Sequence, residues 1–508
     1  MPIEQDFYNR VQSSTKGHNN MPFRVLIIAA IIFFTVVISY VLYRMGYDVI
    51  AATLVPVLFA FLLIFASSPK SYALVIFILG YTIVAPWRYL TSLKPGIIFD
   101  ISLGSLFFLM IVNTIFGKVN WKRGLNGATF LSFLWLIYCV LEIFNMESTS
   151  VDAWMVAVRW MAVYFFILIF LTPIQLTSLK NFRVFVYTFS VLSLFAAGWI
   201  FKQKFIGFDQ AELAWLADPK VRNFHILPFG IRYWSFLTDA ANAAVCLALS
   251  GSFFGVLCFF CEKKKEKIFF ALVAALSILA SLYTGTRSHV VIPFFALIIV
   301  IICSKSKKML FWSILVIVCA IGFFRYTNIG DSNTYIWRAR SAFHYEKDAS
   351  YILRQENHRK IRAYMSGKYF GVGLGMSEQK ALKYNPDSEI AKIPTDSWIY
   401  TVFVETGLVG VLFYVSMFLY FIIYGISISL HKIHDKFIRG VVIAATGCVA
   451  GILFASYGNG ILAQFPNGIV SFVLIGVIFA APYVDADLTQ QKLTVLGEES
   501  EQPGNDNY

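Results

Sequence analysis

Runs of about twenty apolar residues, separated by short polar connections, recur along almost the whole of the 508-residue chain. A helix needs about 20 mostly apolar residues to cross the hydrocarbon core of a bilayer. The candidate spans are 25–43, 49–67, 71–86, 100–117, 128–145, 152–173, 182–201, 235–260, 268–284, 289–304, 309–325, 407–429, 438–457 and 463–484. Only 14% of the residues are charged, against roughly 25% in soluble proteins. The sequence therefore predicts an all-α fold, a polytopic membrane helix bundle of about 12–14 transmembrane helices.

Basic residues concentrate in every second connection between these spans. With the N-terminus inside, the even-numbered connections are those that contain Lys70, 118–123, 180–183, 262–267, 305–308 and 432–439. Short basic connections stay in the cytoplasm. This bias accounts for the net charge of +13 without nucleic acid as a partner. It also predicts that the odd-numbered connections face the outside.

The predicted organisation follows from these spans. Its parts are a cytoplasmic N-terminal segment (1–24), about eleven transmembrane helices with an outer loop at 202–234 (25–326), a long periplasmic loop (327–406), three C-terminal transmembrane helices (407–484) and a cytoplasmic tail (485–508). The tail is polar and short of apolar residues, which predicts disorder. The long loop contains aromatic residues throughout, and we expect it to be folded and largely helical.

The long loop contains a basic stripe and a glycine run. Within 352–365 the pattern is helical, and Arg354 and His358 stand at i and i+4 on one face, with Arg362 one turn further on. Such a stripe fits lipid phosphates, either of a substrate or of the membrane in general. The alternate glycines of 371–375 lack the context of a nucleotide-binding motif. They predict a tight turn where two backbone segments approach closely.

A carboxylate stands just before the next apolar helix. Asp396 is either the N-cap of that helix or a general base that takes a proton from an acceptor hydroxyl. Glu405, further into the same helix, is a secondary candidate. His431 and His434 have helical metal-ligand spacing, but they lie among lysines without clustered carboxylates. We therefore predict no metal site and no cofactor.

Four more charged residues lie at the outer ends of spans. Arg287 is surrounded by hydroxyl residues in the elbow 284–290, and a guanidinium can bind a phosphate bidentately; the alternative is a surface arginine at the headgroup level. Arg159 is either a substrate contact or a paired arginine that fixes helix packing, since charges within a membrane need a partner or a cavity. Arg232 and Asp239 form either a local ion pair or substrate contacts.

The order of these motifs resembles the O-antigen ligase/polymerase superfamily of bacterial envelope glycosyltransferases. A TGTR elbow is followed by two helices and an outer loop with R-x₃-H, YFGVGLG and PTDSWIYTVFVETGLVG, and the similarity is clearest over about 280–425. It implies a saccharide on undecaprenyl diphosphate as donor, and a saccharide or lipid A-core-type acceptor. The product would be lipopolysaccharide or capsule, and the location the bacterial inner membrane.

The resemblance also assigns roles to residues. Arg287 and Arg354 match the arginines expected at the diphosphate. Ligases of the superfamily commonly have a His-Asn or similar pair where this chain has Asp396-Ser397, so that the base is either Asp396 or His358. The donor is already activated, so that no cofactor is required, and direct displacement would invert the anomeric centre.

Two other functions are compatible with the helix count. A transporter or flippase of lipid-linked oligosaccharide should show repeat-like halves and charges near the bilayer centre, whereas this chain has uneven loops and outer-face charges. A structural membrane protein would leave the basic loop without a purpose. The sequence favours the glycosyltransferase. The departure at Asp396-Ser397 favours a polymerase over a ligase.

Overall fold

The computed structural model describes residues 72–84, 95–115, 119–227, 230–343 and 349–501. The α-helices in these ranges are α1 (Tyr72–Thr82), α2 (Pro95–Ile115), α3 (Gly127–Leu141), α4 (Val151–Val158), α5 (Tyr164–Gln175), α6 (Leu179–Phe205), α7 (Gln210–Leu216), α8 (Pro219–His225), α9 (Ala240–Leu257), α10 (Lys264–Tyr283), α11 (Val291–Cys303), α12 (Lys307–Tyr326), α13 (Thr334–Arg340), α14 (Ala349–Tyr364), α15 (Glu378–Ala381), α16 (Trp398–His431), α17 (Lys436–Ala455) and α18 (Asn467–Glu501). Two-residue strands, β1 (Ile226–Leu227) and β2 (Gly230–Ile231), pair antiparallel. The described part is therefore all-α apart from this short hairpin, as predicted.

Most of the long helices can cross a membrane. The described part contains nine helical segments that are long and apolar enough, and two shorter apolar ones, Gly96–Ile111 and Ser288–Cys303. Every predicted span from 71–86 onward coincides with a helix. The predicted spans 25–43 and 49–67, together with the segment 1–24, lie outside the described residues. The chain is a multi-pass membrane protein.

Three helices form the centre of the bundle. In their most apolar windows, 89% of the residues of α9 and α17 and 83% of those of α18 are buried, against 6% for α12. Small residues let helices approach closely in a membrane. A Cβ placed on Gly447 or Gly451 of α17 would lie 2.8 Å from the Cα of Ala296 or Ile292 in α11. Helices α11 and α17 therefore pack backbone to backbone, while α12 lies at the periphery.

The long loop is folded, as predicted. It contains α13, α14, α15 and two short 3₁₀ turns, Ser341–Phe343 and Ile390–Lys392. Its hydrophobic core is Ala153, Ile361, Met365, Val372, Met376, Ile390 and Val404. Because Ala153 belongs to α4 and Val404 to α16, the loop is anchored on two helices of the bundle.

The two boundaries of the C-terminal region differ from the predicted ones. Helix α16 begins at Trp398, before the boundary predicted at 407, and its dihedral angles become non-helical at Gly407 (φ +68°). Helix α18 continues to Glu501, whereas we predicted a disordered tail from residue 485. Residues 502–508 lie outside the described range.

Polar partners explain why the last helix continues. The carboxylate of Asp485 accepts the backbone N–H groups of His434 at 3.0 Å and Asp435 at 2.8 Å. Asp487 forms an ion pair with Arg123. Composition alone predicts disorder here because it does not show that these acidic side chains meet donors from distant parts of the chain.

Candidate functional site

The connection between α17 and α18, residues 456–466, brings the predicted site elements together; we call it the 456–466 turn. The backbone N–H of Trp398, at the start of α16, donates to the carbonyl oxygens of Ser456 (2.8 Å) and Asn459 (3.3 Å). The hydroxyl of Ser397 donates to the same carbonyl of Ser456 at 3.3 Å. The end of the long loop is therefore fixed to this turn.

Arg232 holds the elbow 284–290 in place through hydrogen bonds. Its Nε donates to the carbonyl oxygen of Thr284 at 3.3 Å, and its Nη2 donates to the hydroxyl of Thr286 at 2.8 Å. Asp239 instead caps α9, where its carboxylate accepts two backbone N–H groups of the first turn. The local Arg232–Asp239 ion pair that we considered is not formed, because each side chain is engaged elsewhere.

The electrostatics of Arg232 show which charges surround it. Burial lowers the pKa of its guanidinium, the carboxylate of Asp239 raises it, and the positive charge of Arg287 lowers it. Three predicted residues, Arg232, Asp239 and Arg287, are therefore electrostatic neighbours at the N-terminal end of α9. Arg232 acts there as a support for the elbow that carries Arg287.

Arg354 and the elbow 284–290 come close to each other at the 456–466 turn. The side-chain amide of Asn459 donates to the hydroxyl of Ser288. A Cβ placed on Gly458 would lie 3.5 Å from the Cβ of Ser288 and 3.8 Å from Nη1 of Arg354. The residue next to Arg287 and the guanidinium of Arg354 thus both lie close to Gly458. The structure therefore brings the elbow and the basic stripe of α14 together.

His358 is completely buried beneath the end of the long loop. Its Nε2 lies 2.9 Å from the carbonyl oxygen of Thr395. Because a carbonyl oxygen only accepts, Nε2 carries the hydrogen and Nδ1 is left as an acceptor in the neutral ring. Nδ1 is buried and has no hydrogen-bond partner in the part of the chain that the structure describes. The ring stacks on Tyr400, with centroids 3.5 Å apart and planes 7° apart.

Several charges act on His358. Burial lowers its pKa, the hydrogen bond to the Thr395 carbonyl raises it, Arg354 and Arg362 lower it, and Asp396 raises it. Arg362 also donates to the hydroxyl of Tyr400 at 2.5 Å. The structure thus places three other predicted site residues, Arg354, Arg362 and Asp396, around the imidazole of His358. The lowered pKa keeps that imidazole neutral near pH 7.

Asp396 is not the N-cap of α16. That position belongs to Ser397, whose hydroxyl accepts the backbone N–H of Tyr400 at 3.3 Å. Asp396 is exposed and has a φ of +48°, a left-handed conformation that costs a non-glycine residue roughly 1–2 kcal/mol. The hydrogen bond from His358 fixes the carbonyl of the preceding residue. The carboxylate is therefore exposed on a backbone that its neighbours hold in place.

The glycine run packs against the break in α16. Backbone hydrogen bonds join Val372 N–H to Val404 O at 2.9 Å and Gly373 N–H to Glu405 O at 3.1 Å. A Cβ on Gly371, which has a φ of +82°, would lie 2.5 Å from the carbonyl oxygen of Glu405. The predicted close approach of two backbone segments is confirmed.

Two predicted secondary residues lie apart from this cluster. The buried carboxylate of Glu405 accepts the hydroxyl of Ser377 at 2.5 Å and lines a small cavity of about 100 Å³. Arg159 forms an ion pair with Asp100 at 2.6 Å, within a π-helical turn between α4 and α5. The paired interpretation of Arg159 is therefore confirmed.

Sequence reasoning missed the 456–466 turn. It carries Asn459, which contacts the elbow, and Tyr457, whose ring packs edge-on against His358 with centroids 5.7 Å apart. The signal was present, because two asparagines, three glycines and a proline between 458 and 468 separate two apolar helices. A short connection of that kind predicts a turn but not its contacts.

The matched family agrees with this geometry. The family model described as O-antigen ligase matches residues 272–415, a range that contains the elbow, α14, the glycine run and the start of α16. A comparison with curated proteins found no match to the chain. The residues that the structure brings together are thus mostly those of the matched domain, with the 456–466 turn added from outside it. Over residues 272–415 the chain is therefore similar to the O-antigen ligase family.

Proposed function

We propose that this protein is a membrane glycosyltransferase that moves a saccharide from undecaprenyl diphosphate to an acceptor at the periplasmic face of the bacterial inner membrane. The observation that carries the proposal is the meeting of the elbow and α14 at Gly458, which places Ser288 and the guanidinium of Arg354 close to one residue. In the proposed site, Arg287 of the elbow and Arg354 of α14 both face the diphosphate. A diphosphate presented by a membrane lipid is the ligand that such a site fits.

The transfer is a direct displacement. The acceptor hydroxyl oxygen forms the new bond to the anomeric carbon, and the bond from that carbon to the diphosphate oxygen breaks. The diphosphate leaves with the bonding electrons, and the hydroxyl proton passes to a base. Attack from the face opposite the leaving group inverts the anomeric centre. The leaving group is already activated, so that the proposed reaction uses neither a metal nor a nucleotide.

Arginines supply the electrostatic part of the catalysis. Negative charge grows on the diphosphate as the bond breaks, and preorganised cations stabilise it at the moment it appears. Arg287 is carried by an elbow that Arg232 supports through two hydrogen bonds. Arg354 is carried by α14, which the core of the folded loop anchors through Ile361. Both cations are thus carried on supported elements.

We assign the base to Asp396 and a positioning role to His358. Asp396 is exposed, whereas the imidazole of His358 is completely buried. His358 Nε2 donates to the carbonyl of Thr395 at 2.9 Å and so fixes the peptide that precedes Asp396. An acceptor hydroxyl that approaches from outside meets the carboxylate first.

The proposed acceptor is a saccharide, either the growing end of a second lipid-linked chain or a lipid A-core-type glycolipid. Aromatic residues of the loop are available for stacking on sugar rings, and Tyr369 and Phe370 are 64% and 60% exposed. We favour the polymerase, because the Asp396-Ser397 pair departs from the pair common among ligases. Capsule or lipopolysaccharide is then the product.

The arginine pair is tested by single substitutions. We expect Arg287→Ala and Arg354→Ala each to reduce transfer by at least about 100-fold, the cost of removing one preorganised donor of developing charge. The matched control is Arg359→Ala, which removes an exposed arginine of the same helix. Transfer is measured as envelope polysaccharide on a gel, with membrane insertion checked by immunoblot. Normal polysaccharide in both arginine variants would contradict the diphosphate site.

A deletion strain distinguishes the two products. Loss of a polymerase leaves single-repeat products, whereas loss of a ligase leaves full-length chains that stay on the carrier lipid. Transport of the donor across the membrane is the competing function, and its loss leaves the lipid-linked saccharide on the cytoplasmic side. If the lipid-linked saccharide accumulates on the cytoplasmic side in the arginine variants, the protein is a flippase and not a transferase.

A further inference from the structure

A second cavity lies at the end of the bundle opposite the candidate site. Its volume is about 710 Å³, and its walls come from the segment after α9 and from the first turns of α10, α12 and α17. The three helices run from this cavity toward the elbow, the long loop and the 456–466 turn, respectively. The cavity is therefore separated from the candidate site by the length of these helices.

The rim of this cavity is strongly basic. Its cations are Lys267, Lys305, Lys308, Lys436 and Arg439. None of these five forms an ion pair with a carboxylate in the part of the chain that the structure describes. At the same end of the bundle, by contrast, Arg183 pairs with Glu266 at 2.9 Å. The rim is thus a concentration of positive charge, and no carboxylate of the described residues forms a salt bridge with these five cations.

Arg439 is the most enclosed of these cations. Its Nη2 donates to the carbonyl oxygen of Cys303 at 2.9 Å, so that the guanidinium is held at the end of α11. Its Nε is buried and has no hydrogen-bond partner among the described residues. A buried donor of this kind costs free energy unless a ligand satisfies it. A ligand with acceptor oxygens would do so.

One wall of the cavity is apolar and leads outward along α12. It includes Met309, Trp312 and Val316, and the side chains of Trp312 and Val316 are 47% and 50% exposed. Helix α12 is also the long helix with the smallest buried share, 6% of its apolar window. A basic rim that continues into an apolar, outward-facing wall matches a molecule with an anionic head and a hydrocarbon chain.

The N-terminus of α12 adds to the positive potential. Helix α12 begins at Lys307, and no side-chain hydrogen bond caps its N-terminus at Ser306. The N-terminus of α17, by contrast, is capped by the carboxylate of Asp435. The first N–H groups of a helix carry a partial positive charge that favours anions. The N-terminus of α12 therefore reinforces the basic rim, although a helix terminus alone would not define a site.

We propose that this cavity binds the phosphate headgroup of an anionic phospholipid, with an acyl chain along Trp312 and Val316. The alternation of basic connections assigns this end of the bundle to the cytoplasm, where the inner leaflet supplies such lipids. Basic pockets between transmembrane helices on the cytoplasmic side are the kind of site that anionic headgroups occupy. The site is independent of the proposed transferase, and its lipid is a structural ligand rather than a substrate.

The test is a lipid-binding measurement on the purified full chain. The protein in neutral detergent is titrated with phosphatidylglycerol or phosphatidylcholine, and bound lipid is counted by native mass spectrometry. We expect phosphatidylglycerol to bind more tightly. The Lys305→Gln/Lys308→Gln double variant should weaken that binding by roughly 30-fold, from about 1 kcal/mol for each cation removed.

A matched control separates a pocket from a generally basic surface. Lys263 and Lys265 are exposed at the same end of the bundle but do not line the cavity. The Lys263→Gln/Lys265→Gln variant should change binding by no more than about twofold, because solvated surface charges contribute little. Equal weakening in the two double variants would overturn the proposal. So would equal affinity for the two lipids.

The source of the phosphate is tested by competition. Inorganic phosphate at matched ionic strength should not displace phosphatidylglycerol if the acyl chain contributes to binding. Displacement at equal concentrations would show that the site takes a free phosphate and would overturn the lipid assignment. In addition, Trp312→Phe should reduce the fluorescence quenching that phosphatidylglycerol with brominated acyl chains causes in the native chain, because one of the eleven tryptophans is lost from the path of the chain. An unchanged quenched fraction in Trp312→Phe would contradict the proposed path of the acyl chain.

Discussion

The two ends of this bundle are both basic, but they are built in opposite ways. At the candidate site, polar side chains from three connections hydrogen-bond to one another, as Arg232 does to Thr286 and Asn459 to Ser288. At the opposite end, the cations around the large cavity have no carboxylate partner within the described residues. The first arrangement fixes positions before a ligand arrives. The second leaves charge available for a ligand that can adapt.

This difference agrees with what each proposed function requires. Transfer of a saccharide needs groups held to within a fraction of an ångström, because preorganisation is what lowers the barrier. A phospholipid headgroup needs mainly positive potential and an apolar path for its chain. Changes at the site end should therefore act through single positioned groups, and changes at the other end through the total positive charge.

The largest effect expected at the site end comes from its carboxylate. Asp396→Asn keeps the size of the side chain but removes the base, so transfer should fall by about 10²–10⁴-fold. His358→Gln retains an N–H that can donate to the Thr395 carbonyl, so the loss there should be only about fivefold, equivalent to one weakened hydrogen bond. The measurement is the rate of transfer to a defined acceptor in detergent or vesicles.

A transfer rate in His358→Gln that is as low as the rate in Asp396→Asn would assign the base to His358. If His358→Gln is as inactive as Asp396→Asn, the imidazole itself accepts the proton, and its burial must be relieved when substrate binds. His358→Ala is the matched control, because it removes both the titratable ring and the donor to Thr395. A positioning role predicts that His358→Ala is clearly worse than His358→Gln.

The next effect concerns the backbone contact beneath the site. Gly371→Ala should destabilise the protein by about 1–3 kcal/mol from overpacking, in addition to about 1–2 kcal/mol for its left-handed conformation. Gly367→Ala is the matched control, since Gly367 has a φ of +83° but nothing within 4 Å of a built Cβ. Thermal unfolding in detergent measures both. Equal destabilisation would show that the contact with Glu405 contributes nothing.

The sequence predicted the helices more completely than the contacts between them. Apolar runs and alternating basic connections depend on composition within one segment, so each predicted span in the described part was found as a helix. The glycine run likewise predicted a close approach of two backbone segments, and the contact of Gly371 with the backbone of Glu405 confirms it. What it approaches, the break at Gly407, could not be read from a single sequence.

The predictions that were wrong depended on the local backbone or on contacts between distant segments. The role of N-cap passed from Asp396 to Ser397 because two adjacent polar residues are equivalent in a sequence pattern until the backbone is known. The tail from residue 485 is helical because its aspartates meet His434 and Arg123. The 456–466 turn escaped notice for the same reason, since its significance lies wholly in its partners.

A smaller effect tests that turn directly. Asn459→Ala removes the donor to Ser288 and should reduce transfer about fivefold, because an ordinary hydrogen bond contributes roughly 1 kcal/mol. Ser288→Ala should cost a similar amount, and the double variant no more than either alone. A double-mutant cycle of transfer rates measures this coupling. Additive losses would mean that the turn does not position the elbow.

The smallest effect expected at the site end is a dependence of stability on pH. Burial lowers the pKa of His358 in the folded protein below its ordinary value of 6.5, so that the unfolded chain takes up a proton more readily than the folded one. Stability should therefore decrease as the pH falls through 6.5 toward the lowered value, and it should be fully present above 6.5. Thermal unfolding of the native chain and of His358→Gln between pH 8 and pH 5 isolates this contribution, because the glutamine does not titrate. If the stability of both proteins decreases equally as the pH falls, a group other than His358 titrates. The buried imidazole would then make no contribution to the pH dependence of stability.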